Sequence, residues 1–337
     1  MTLTAYHLLF DSPLHVGVEG IGQERIEHTI RSDTLWAALV QMWSLLFDES
    51  PQDLAAACPF AVSSCFPLVK GQRFYPLPDT AREDLATALQ NTGEAQAGLR
   101  FKDIKKIKYI NEQLLLRVLQ GDRLQLNDLE PSGSHFPHVK GKDAAYAATE
   151  QRPRLRIDRL SGSVEGENFF YCSDLFFHDQ SGLFFLMRCQ DDAVRTRFEA
   201  ALHLLGDTGL GADRTVGRGT FTCTAQPAQF PDLQHAGCFL LLSLYHPTRE
   251  EVQAGTLQQA LGYSLVRRSG HAGAPGVGSL RRADVWMLGE GSMLAAPVQG
   301  DIPVVIAAST LAPHPVYRYG RAFLMPMAAR RPACPNQ

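Results

Sequence analysis

The segment 205–221 has the residue types best suited to binding a ligand, because it combines glycines with Arg214 and Arg218. Glycine has no β-carbon, so its backbone adopts positive φ readily and its N–H group can approach a bound anion closely. The glycines of this loop are Gly206, Gly209, Gly211, Gly217 and Gly219. The pattern predicts a loop that contacts phosphate, with an ordinary glycine-rich turn between a helix and a strand as the alternative.

This glycine loop matches neither of the two common nucleotide-binding motifs. No Gly-Lys-Ser/Thr follows it, so it is not a P-loop. It also follows a helical pattern and precedes a strand pattern, whereas the dinucleotide fingerprint lies between a strand and a helix. The usual nucleotide-binding classes are therefore excluded.

His15 is the residue in the N-terminal segment that could act as a general acid or base, for example on an RNA 2′-hydroxyl. It stands just before Gly17, at the end of a predicted strand, and His28 could partner it. A histidine that only donates a hydrogen bond or faces a phosphate is the simpler interpretation. Asp33 lies at the start of a predicted helix, where N-capping explains a carboxylate. With no HExxH, GxSxG or carboxylate cluster, we predict no catalytic residue, metal or cofactor.

Two further stretches are rich in positive charge, although the whole chain has a net charge of −3. The first, 99–109, interleaves its lysines with Phe101 and Tyr109, which could stack on bases. The second, 152–162, places arginines at alternate positions, so that in a strand they would share one face. Each stretch alone could be a solvated surface, but together with the glycine loop they predict a track for a phosphate backbone. The candidate residues are Lys102, Lys105, Lys106, Arg154, Arg156 and Arg159.

The elements that must position these residues follow the order β-α-β-β-α-β. Strand patterns at 5–16, 169–177, 183–189 and after the glycine loop alternate with helical patterns at 34–47 and 194–205. A helical pattern at 248–261 and short strand patterns follow after residue 233. The sequence predicts an α+β protein with two ferredoxin-like domains, residues 1–232 and a degenerate second domain at 233–337, with the glycine loop at 206–219. A projecting loop or hairpin is expected between 131 and 152.

The bulk composition is that of a folded globular protein, with 45% hydrophobic residues. No run of 18 apolar residues occurs, so we predict no membrane association and a cytoplasmic location. The seven cysteines are scattered and lack zinc-ligand spacing, which predicts reduced core residues.

Several of these motifs together resemble the RAMP superfamily of CRISPR proteins. They are PLHVG at 13–17, IRSDTLWAAL at 30–39, RIDRLSG at 156–162, the glycine loop, GEGSML at 289–294 and HPVYRYGRAF at 314–323. More narrowly, they resemble the subunit of type III-A (Csm-type) effector complexes that caps the 5′ end of the guide RNA. The resemblance covers essentially the whole chain, in the same order.

The resemblance implies RRM-type ferredoxin-like domains, with a projecting thumb inserted within about residues 50–156 of the first. It implies a non-catalytic subunit that holds the repeat-derived 5′ tag of the crRNA. Its expected protein partners are the large polymerase/cyclase subunit and the adjacent RAMP backbone subunit. Carried onto this chain, the RNA-binding motifs are His15 with Gly17 and the loop from Gly209 to Gly219.

Two other functions remain open from the residues alone. One is a metal-independent endoribonuclease that processes CRISPR repeat RNA, with His15 as the acid or base. The other is a purely structural bridge whose basic stretches are incidental, and which would assemble without RNA.

Overall fold

The computed structural model describes residues 3–17, 25–94, 100–129, 146–157, 160–233, 235–274 and 277–330. We refer to residues 3–233 as the N-terminal part and to residues 235–330 as the C-terminal part. The helices are α1 (Ser32–Phe47), α2 (Pro51–Ala57), α3 (Asp79–Thr92), α4 (Phe101–Lys106), α5 (Glu112–Leu119), α6 (Asp192–Thr208) and α7 (Arg249–Gln253). None of these helices has the length and apolar composition needed to cross a bilayer.

The strands of the N-terminal part are β1 (Leu3–Phe10), β2 (Phe60–Val62), β3 (Phe66–Val69), β4 (Gln72–Pro76), β5 (Tyr109–Asn111), β6 (Ala147–Ile157), β7 (Val164–Phe177), β8 (Gly182–Cys189) and β9 (Phe221–Pro227). Seven of them form one sheet in the order β5-β4-β3-β8-β1-β9, with β2 also paired to β8. All of its pairings are antiparallel. Together with the helices, this sheet confirms the predicted α+β class.

One face of the sheet is covered by α1 and α6. Helix α1 follows Arg31, whose backbone is extended, and ends at Phe47, before Asp48, where φ is +54°. Its apolar residues recur at helical spacing, so Leu35, Leu39 and Trp43 are buried on the same side. They pack with Phe185 of the sheet in one hydrophobic core. The predicted helices at 34–47 and 194–205 are confirmed by α1 and α6.

The opposite face of the sheet belongs to a second core. Because side chains alternate across a strand, Phe184 and Leu186 point away from Phe185 and pack with α3 and α5. Leu240 and Met325 of the C-terminal part complete the same core. Of the elements in the interval predicted to hold the insertion, β2 to β5 are thus strands of the sheet, and α3 and α5 pack on it.

Strands β6 and β7 form a two-stranded ribbon, and among the strands of the described residues each pairs with the other alone. Its base is buried and joined to the N-terminal segment by the Leu14–Leu175 bridge. Of the side chains described toward its turn, Leu155 and Ile157 are exposed, and Leu160 is 98% exposed. Residues 130–145, where the projecting loop was expected, lie outside the described residues.

The C-terminal part is built from short strands. They are β10 (Cys238–Leu241), β11 (Leu265–Arg268), β12 (His271–Ala274), β13 (Val277–Arg281), β14 (Val285–Leu288), β15 (Met293–Leu294), β16 (Gly300–Asp301), β17 (Val304–Ile306), β18 (Val316–Tyr317), β19 (Gly320–Arg321) and β20 (Leu324–Met327). Helix α7 begins where predicted, with a capping box formed by Thr248 and Glu251. It ends at Gln253, far short of Leu261, because the chain takes a positive φ of +74° at Gly255.

The start of α1 ties the two parts together. The Asp33 carboxylate accepts hydrogen bonds from Arg268 at 2.9 Å and from Arg318, and the backbone N–H of Leu244 donates to Ser32 Oγ. The expectation that Asp33 caps this helix is wrong, since Ser32 and Asp33 lie inside its first turn and Arg31 is the N-cap residue. Two guanidinium groups from the other part of the chain bind the carboxylate instead.

The cysteines agree with the prediction of reduced core residues. The six described cysteines carry free thiols. Four of them, Cys65, Cys172, Cys189 and Cys238, are buried.

Candidate nucleic-acid interface

A groove of about 1360 Å³ runs between the N-terminal and C-terminal parts. One wall is formed by His15, Gly17, the exposed side of α1, and Gly211 and Arg214 of the glycine loop. The other wall is formed by residues 265–272, 280, 282 and 311–317. The glycine loop, which follows α6 and precedes β9 as predicted, therefore borders a cavity large enough for a ligand.

Most backbone N–H groups of the glycine loop are already used inside the protein. Leu210 donates to the carbonyl of Gly219, Ala212 donates to that of His15, and Gly219 donates to that of Pro13, at 2.8–3.0 Å. The glycines bring backbone segments into contact with one another. The loop is therefore a tight structural turn, in which these N–H groups bind carbonyl groups of the protein itself.

Arg218 is buried within this turn and is 8% exposed. Its guanidinium donates to the Asp174 carboxylate at 2.5 Å and to the Asp213 carboxylate at 2.8 Å, and also to Cys172 Sγ at 3.2 Å. Asp174 is itself fully buried. A phosphate contact by Arg218 would require these ion pairs to break, so the geometry assigns the residue to the loop's internal structure.

Arg214 and Arg154 differ from Arg218 in their surroundings. Arg214 lines the groove, and its guanidinium donates to the Gln41 side-chain oxygen at 3.4 and 3.5 Å, at the limit of a hydrogen bond. Arg154 pairs with Asp213 at 2.8 Å, which fastens the β6–β7 ribbon to the glycine loop. Of these two predicted residues, Arg214 is the one with a guanidinium available to a ligand.

His15 lines the groove but is 3% exposed. Its Nδ1 lies 2.7 Å from the carbonyl oxygen of Ser173, which can only accept, so Nδ1 carries the proton and Nε2 is the acceptor in the neutral ring. Nε2 lies 3.8 Å from the point where a β-carbon on Gly17 would stand. The ring is held in one orientation beside Gly17, a geometry that suits a hydrogen bond to a ligand group.

Atoms of His15, Cys172 and Asp174 lie within 4.8 Å of one another, a spacing that could suit a metal ion. However, the Arg218 guanidinium donates to both Cys172 and Asp174. A buried cation supplied by the chain itself thus occupies the place where a metal would bind. These residues do not fit a metal centre.

The structure does not gather all of the predicted basic residues at this groove. Lys102, Lys105 and Lys106 are exposed on α4 and line neither of the two cavities described here. Arg159 and the side chain of Arg156 lie outside the described residues. The structure brings together His15, Gly17, Arg154 and the glycine loop, whereas the lysines lie apart from the groove.

The arginines on the opposite wall were not among the binding residues predicted from the sequence. Arg267, Arg268 and Arg282 line the groove from the C-terminal part. They flank the β12–β13 hairpin, in the sequence RRSGHAGAPGVGSLRR at 267–282. Like the glycine loop, this segment combines glycines with arginines. That pattern could have identified these arginines as candidate binding residues from the sequence.

A second cavity of about 480 Å³ adjoins the groove, and Glu27 lines both. Among its lining residues, Arg31 is paired with Glu290 at 2.8 Å. Burial alone would lower the pKa of Arg31, but Glu290 and Glu27 outweigh burial and raise it. Arg82 donates to the carbonyls of Ile104 and Ile107, and burial lowers its pKa. Both of these arginines are therefore bound to groups of the protein itself.

The α+β fold and the motifs around the groove can now be compared with known protein families. The sequence profile of the RAMP superfamily matches residues 7–222, which is more than half of the chain, so the chain belongs to the RAMP superfamily. Residues 234–327 match the profile of the CRISPR Csm4 C-terminal domain.

Individual relatives point to the same subunit. The chain is 23% identical over 317 residues to a CRISPR system protein Csm4 of Thermococcus onnurineus, covering 92% of this chain and 96% of the relative. It is 32% identical over 126 residues to Csm4 of Mycobacterium tuberculosis, covering 36% of this chain and 40% of that protein.

Solved structures of other proteins have a fold similar to that of this chain. A crystal structure of a Csm1–Csm4 cassette in complex with cA4 aligns with a TM-score of 0.62 at 18% identity, covering 98% of this chain and 100% of that chain. A Csm3–Csm4 subcomplex of a type III-A interference complex aligns with a TM-score of 0.57 at 14% identity, covering 97% of this chain and 99% of that chain.

Proposed function

We propose that this chain is the Csm4-type subunit of a cytoplasmic type III CRISPR effector complex. It holds the 5′ repeat-derived tag of the crRNA and bridges a Csm1-type large polymerase/cyclase subunit to a Csm3-type backbone subunit. It is a binding and scaffolding subunit that cleaves nothing itself. The observation that carries the RNA-binding role is the groove between the two parts of a RAMP-superfamily chain, with arginines on both walls.

The strand order supports a ferredoxin-like N-terminal domain as part of this proposal. Reading β1, β3, β8 and β9 as the four core strands, the sheet order β3-β8-β1-β9 with α1 and α6 as crossovers is that of a βαββαβ unit. The two profile matches, 7–222 and 234–327, fall on either side of a boundary near residue 232. We assign the thumb to the β6–β7 ribbon, which begins within the predicted interval and is exposed toward its turn.

The RNA contacts that we propose at the groove use few residues. Arg214 supplies a guanidinium for a phosphate, because its present partner is a neutral amide oxygen at the limit of hydrogen-bond distance. His15 offers Nε2 as an acceptor for a ribose or base donor, beside Gly17. Arg154 and Gly209, Gly211, Gly217 and Gly219 support this wall, and Lys102, Lys105 and Lys106 contribute at most a separate contact with the RNA.

The direct test is a gel-shift assay of the full chain with end-labelled RNA that carries a CRISPR repeat-derived end, and with a scrambled RNA, in magnesium and in chelator. We expect a shifted, uncut band that prefers the repeat-derived end. The variant Arg214→Glu should weaken the shift about tenfold or more, since it replaces an attraction for phosphate by a repulsion. A discrete shorter product in chelator that disappears in His15→Ala would instead support the endoribonuclease.

Arg249→Glu is the matched control for Arg214→Glu. Arg249 is an exposed arginine at the start of α7 that does not line the groove, so the same change in charge occurs at a distance from the proposed site. If both variants weakened RNA binding equally, the loss of affinity would come from the change in net charge, and Arg214 would not be a residue of the site. Assembly with the two partner subunits that is unaffected by ribonuclease would favour the purely structural bridge.

A further inference from the structure

Arg282 is a charged groove residue to which the proposed function gives no role. Its backbone N–H donates to the carbonyl of Gly270 at 2.9 Å, which holds it at the base of the β12–β13 hairpin. The side chain is half-buried and lines the groove. Within the described ranges it makes no hydrogen bond or ion pair, and its Nε is shielded from solvent without an acceptor.

The neighbouring charges increase the cost of burying this guanidinium. Arg268 and Arg318 lie close to it, and both are already bound to the Asp33 carboxylate. Burial lowers the pKa of Arg282, the charge of Arg318 lowers it further, and Asp33 and Arg268 act in opposite directions. A half-buried cation without an acceptor is unfavourable unless an anion from outside completes the site.

We propose that Arg282 anchors one phosphate group on the C-terminal wall of the groove. The identity of the ligand rests on the proposed function, so the phosphate is a phosphodiester of the bound single-stranded RNA. A guanidinium suits this task because its planar donors bind two phosphate oxygens at once. The strand then passes between Arg214 on one wall and Arg282 on the other.

The first arm of the test measures RNA affinity of the full-length Arg282→Gln variant at several salt concentrations. We expect a loss of about tenfold, the effect of one charge-assisted hydrogen-bonded contact, and a reduction of about 0.7 in the slope of log affinity against log salt. Arg281→Gln is the control, because Arg281 is adjacent in sequence, its side chain is 71% exposed, and it does not line the groove. The control should stay within about twofold of the parent.

The second arm measures thermal unfolding with and without inorganic phosphate. Without phosphate, Arg282→Gln should be at least as stable as the parent, because the substitution removes an unpaired buried cation. Phosphate should raise the Tm of the parent and of Arg281→Gln, by mass action on the folded state, but not that of Arg282→Gln. A drop in Tm of Arg282→Gln in the absence of phosphate would show a structural role and overturn the proposal.

The two arms separate this proposal from the proposed function. RNA binding by the parent that is equally strong in Arg282→Gln and Arg281→Gln overturns the anchor and leaves the RNA-binding role intact. Stabilisation by phosphate that depends on Arg282, in a parent that binds no RNA, supports the anchor and refutes the RNA-binding role. A parent that responds to neither probe refutes both.

Discussion

Arg214 and Arg218 are residues of the same type in one loop, yet their surroundings give them different tasks. The side chain of Arg218 is 10% exposed and is paired with Asp174, which is fully buried. Replacing one member of a buried ion pair leaves an uncompensated charge, so Arg218→Gln should lower the free energy of unfolding by about 3 kcal/mol. Urea denaturation followed by circular dichroism measures this change.

Arg214→Gln is the matched control, because within the described part of the chain the Arg214 side chain makes just two long contacts, both with Gln41. We expect its free energy of unfolding to change by no more than about 0.5 kcal/mol. If Arg218→Gln unfolds at the same urea concentration as Arg214→Gln, the buried ion pair contributes nothing and Arg218 becomes available again as a ligand contact.

Asp33 makes stability depend on pH in the acid range. Burial alone would raise the pKa of its carboxyl, but Arg268 and Arg318 outweigh burial and lower the pKa from 3.8 to about 2. A carboxyl with a lowered pKa in the folded state stabilises the fold above pH 3.8, and this contribution is lost as pH falls toward 2. Asp33→Asn should therefore be less stable at pH 7 and should lose part of the dependence on pH between 4 and 2.

The comparison is made by urea denaturation of the parent and of Asp33→Asn at a series of pH values. Asp213→Asn is a useful reference, because Asp213 also pairs with two arginines but lies nearer the surface. An Asp33→Asn curve parallel to that of the parent from pH 7 to pH 2 would mean that the Asp33 ion pairs do not stabilise the fold.

For single residues, the sequence predicted which side chains have the chemistry to bind a ligand, but not how buried they are or which groups they contact. The sequence identified Arg214, Arg218 and His15 as polar residues near glycines, but burial and partners depend on contacts such as Asp174 with Arg218, which are 44 positions apart. Arg282 went unremarked because its significance lies in the absence of an acceptor around it, and that is a property of the folded structure.

Among the elements, the glycine loop gives a prediction that distinguishes its glycines. A β-carbon on Gly219 would stand 1.9 Å from the carbonyl oxygen of Leu210, and φ there is +73°. A β-carbon on Gly217 would meet nothing within 4 Å, although φ is +77°. Gly219→Ala should therefore cost about 3 kcal/mol or more, and Gly217→Ala about 1 kcal/mol, the strain of a left-handed backbone alone.

Thermal unfolding of the two alanine variants checks this difference. Because the substituted residue and the sign of φ are the same in both, the comparison isolates the effect of backbone contact in the loop. Equal Tm values for the two variants would contradict the close packing of Gly219 against Leu210.

The elements that were predicted well are those whose pattern is set by one buried face. Helices α1 and α6 show a helical period that follows from packing one face on the sheet. Strands β7 and β8 were also predicted as strands, but β7 pairs with β6, whereas β8 pairs with β1, β2 and β3. Helix α7 was predicted too long, because Gly255 with positive φ ends it and a single glycine was not given that weight. The interval of about 50–156 was expected to hold an insertion because the family resemblance implied one, and the sequence alone did not show that Leu85 and Leu115 within it pack into a core.

For the whole molecule, the important feature is that two profile-defined regions share one core. Phe66 and Leu115 of the N-terminal part pack with Leu240 and Met325 of the C-terminal part. Asp33 adds ion pairs across the same junction. The groove that we propose for RNA lies along this junction, so its shape depends on both parts remaining in place.

This shared core predicts that the chain unfolds as one unit. Residues 1–232 expressed alone should aggregate, because the apolar side chains that pack against Leu240 and Met325 become exposed. Co-expression with residues 233–337 should restore a soluble species on size-exclusion chromatography. For the full chain, urea unfolding followed by tryptophan fluorescence and by circular dichroism should give coincident transitions, because loss of either part removes one side of the common core. A soluble, monomeric 1–232 fragment with its own cooperative transition would show instead that the N-terminal part is stable by itself, and the groove would then be a cleft between independent domains.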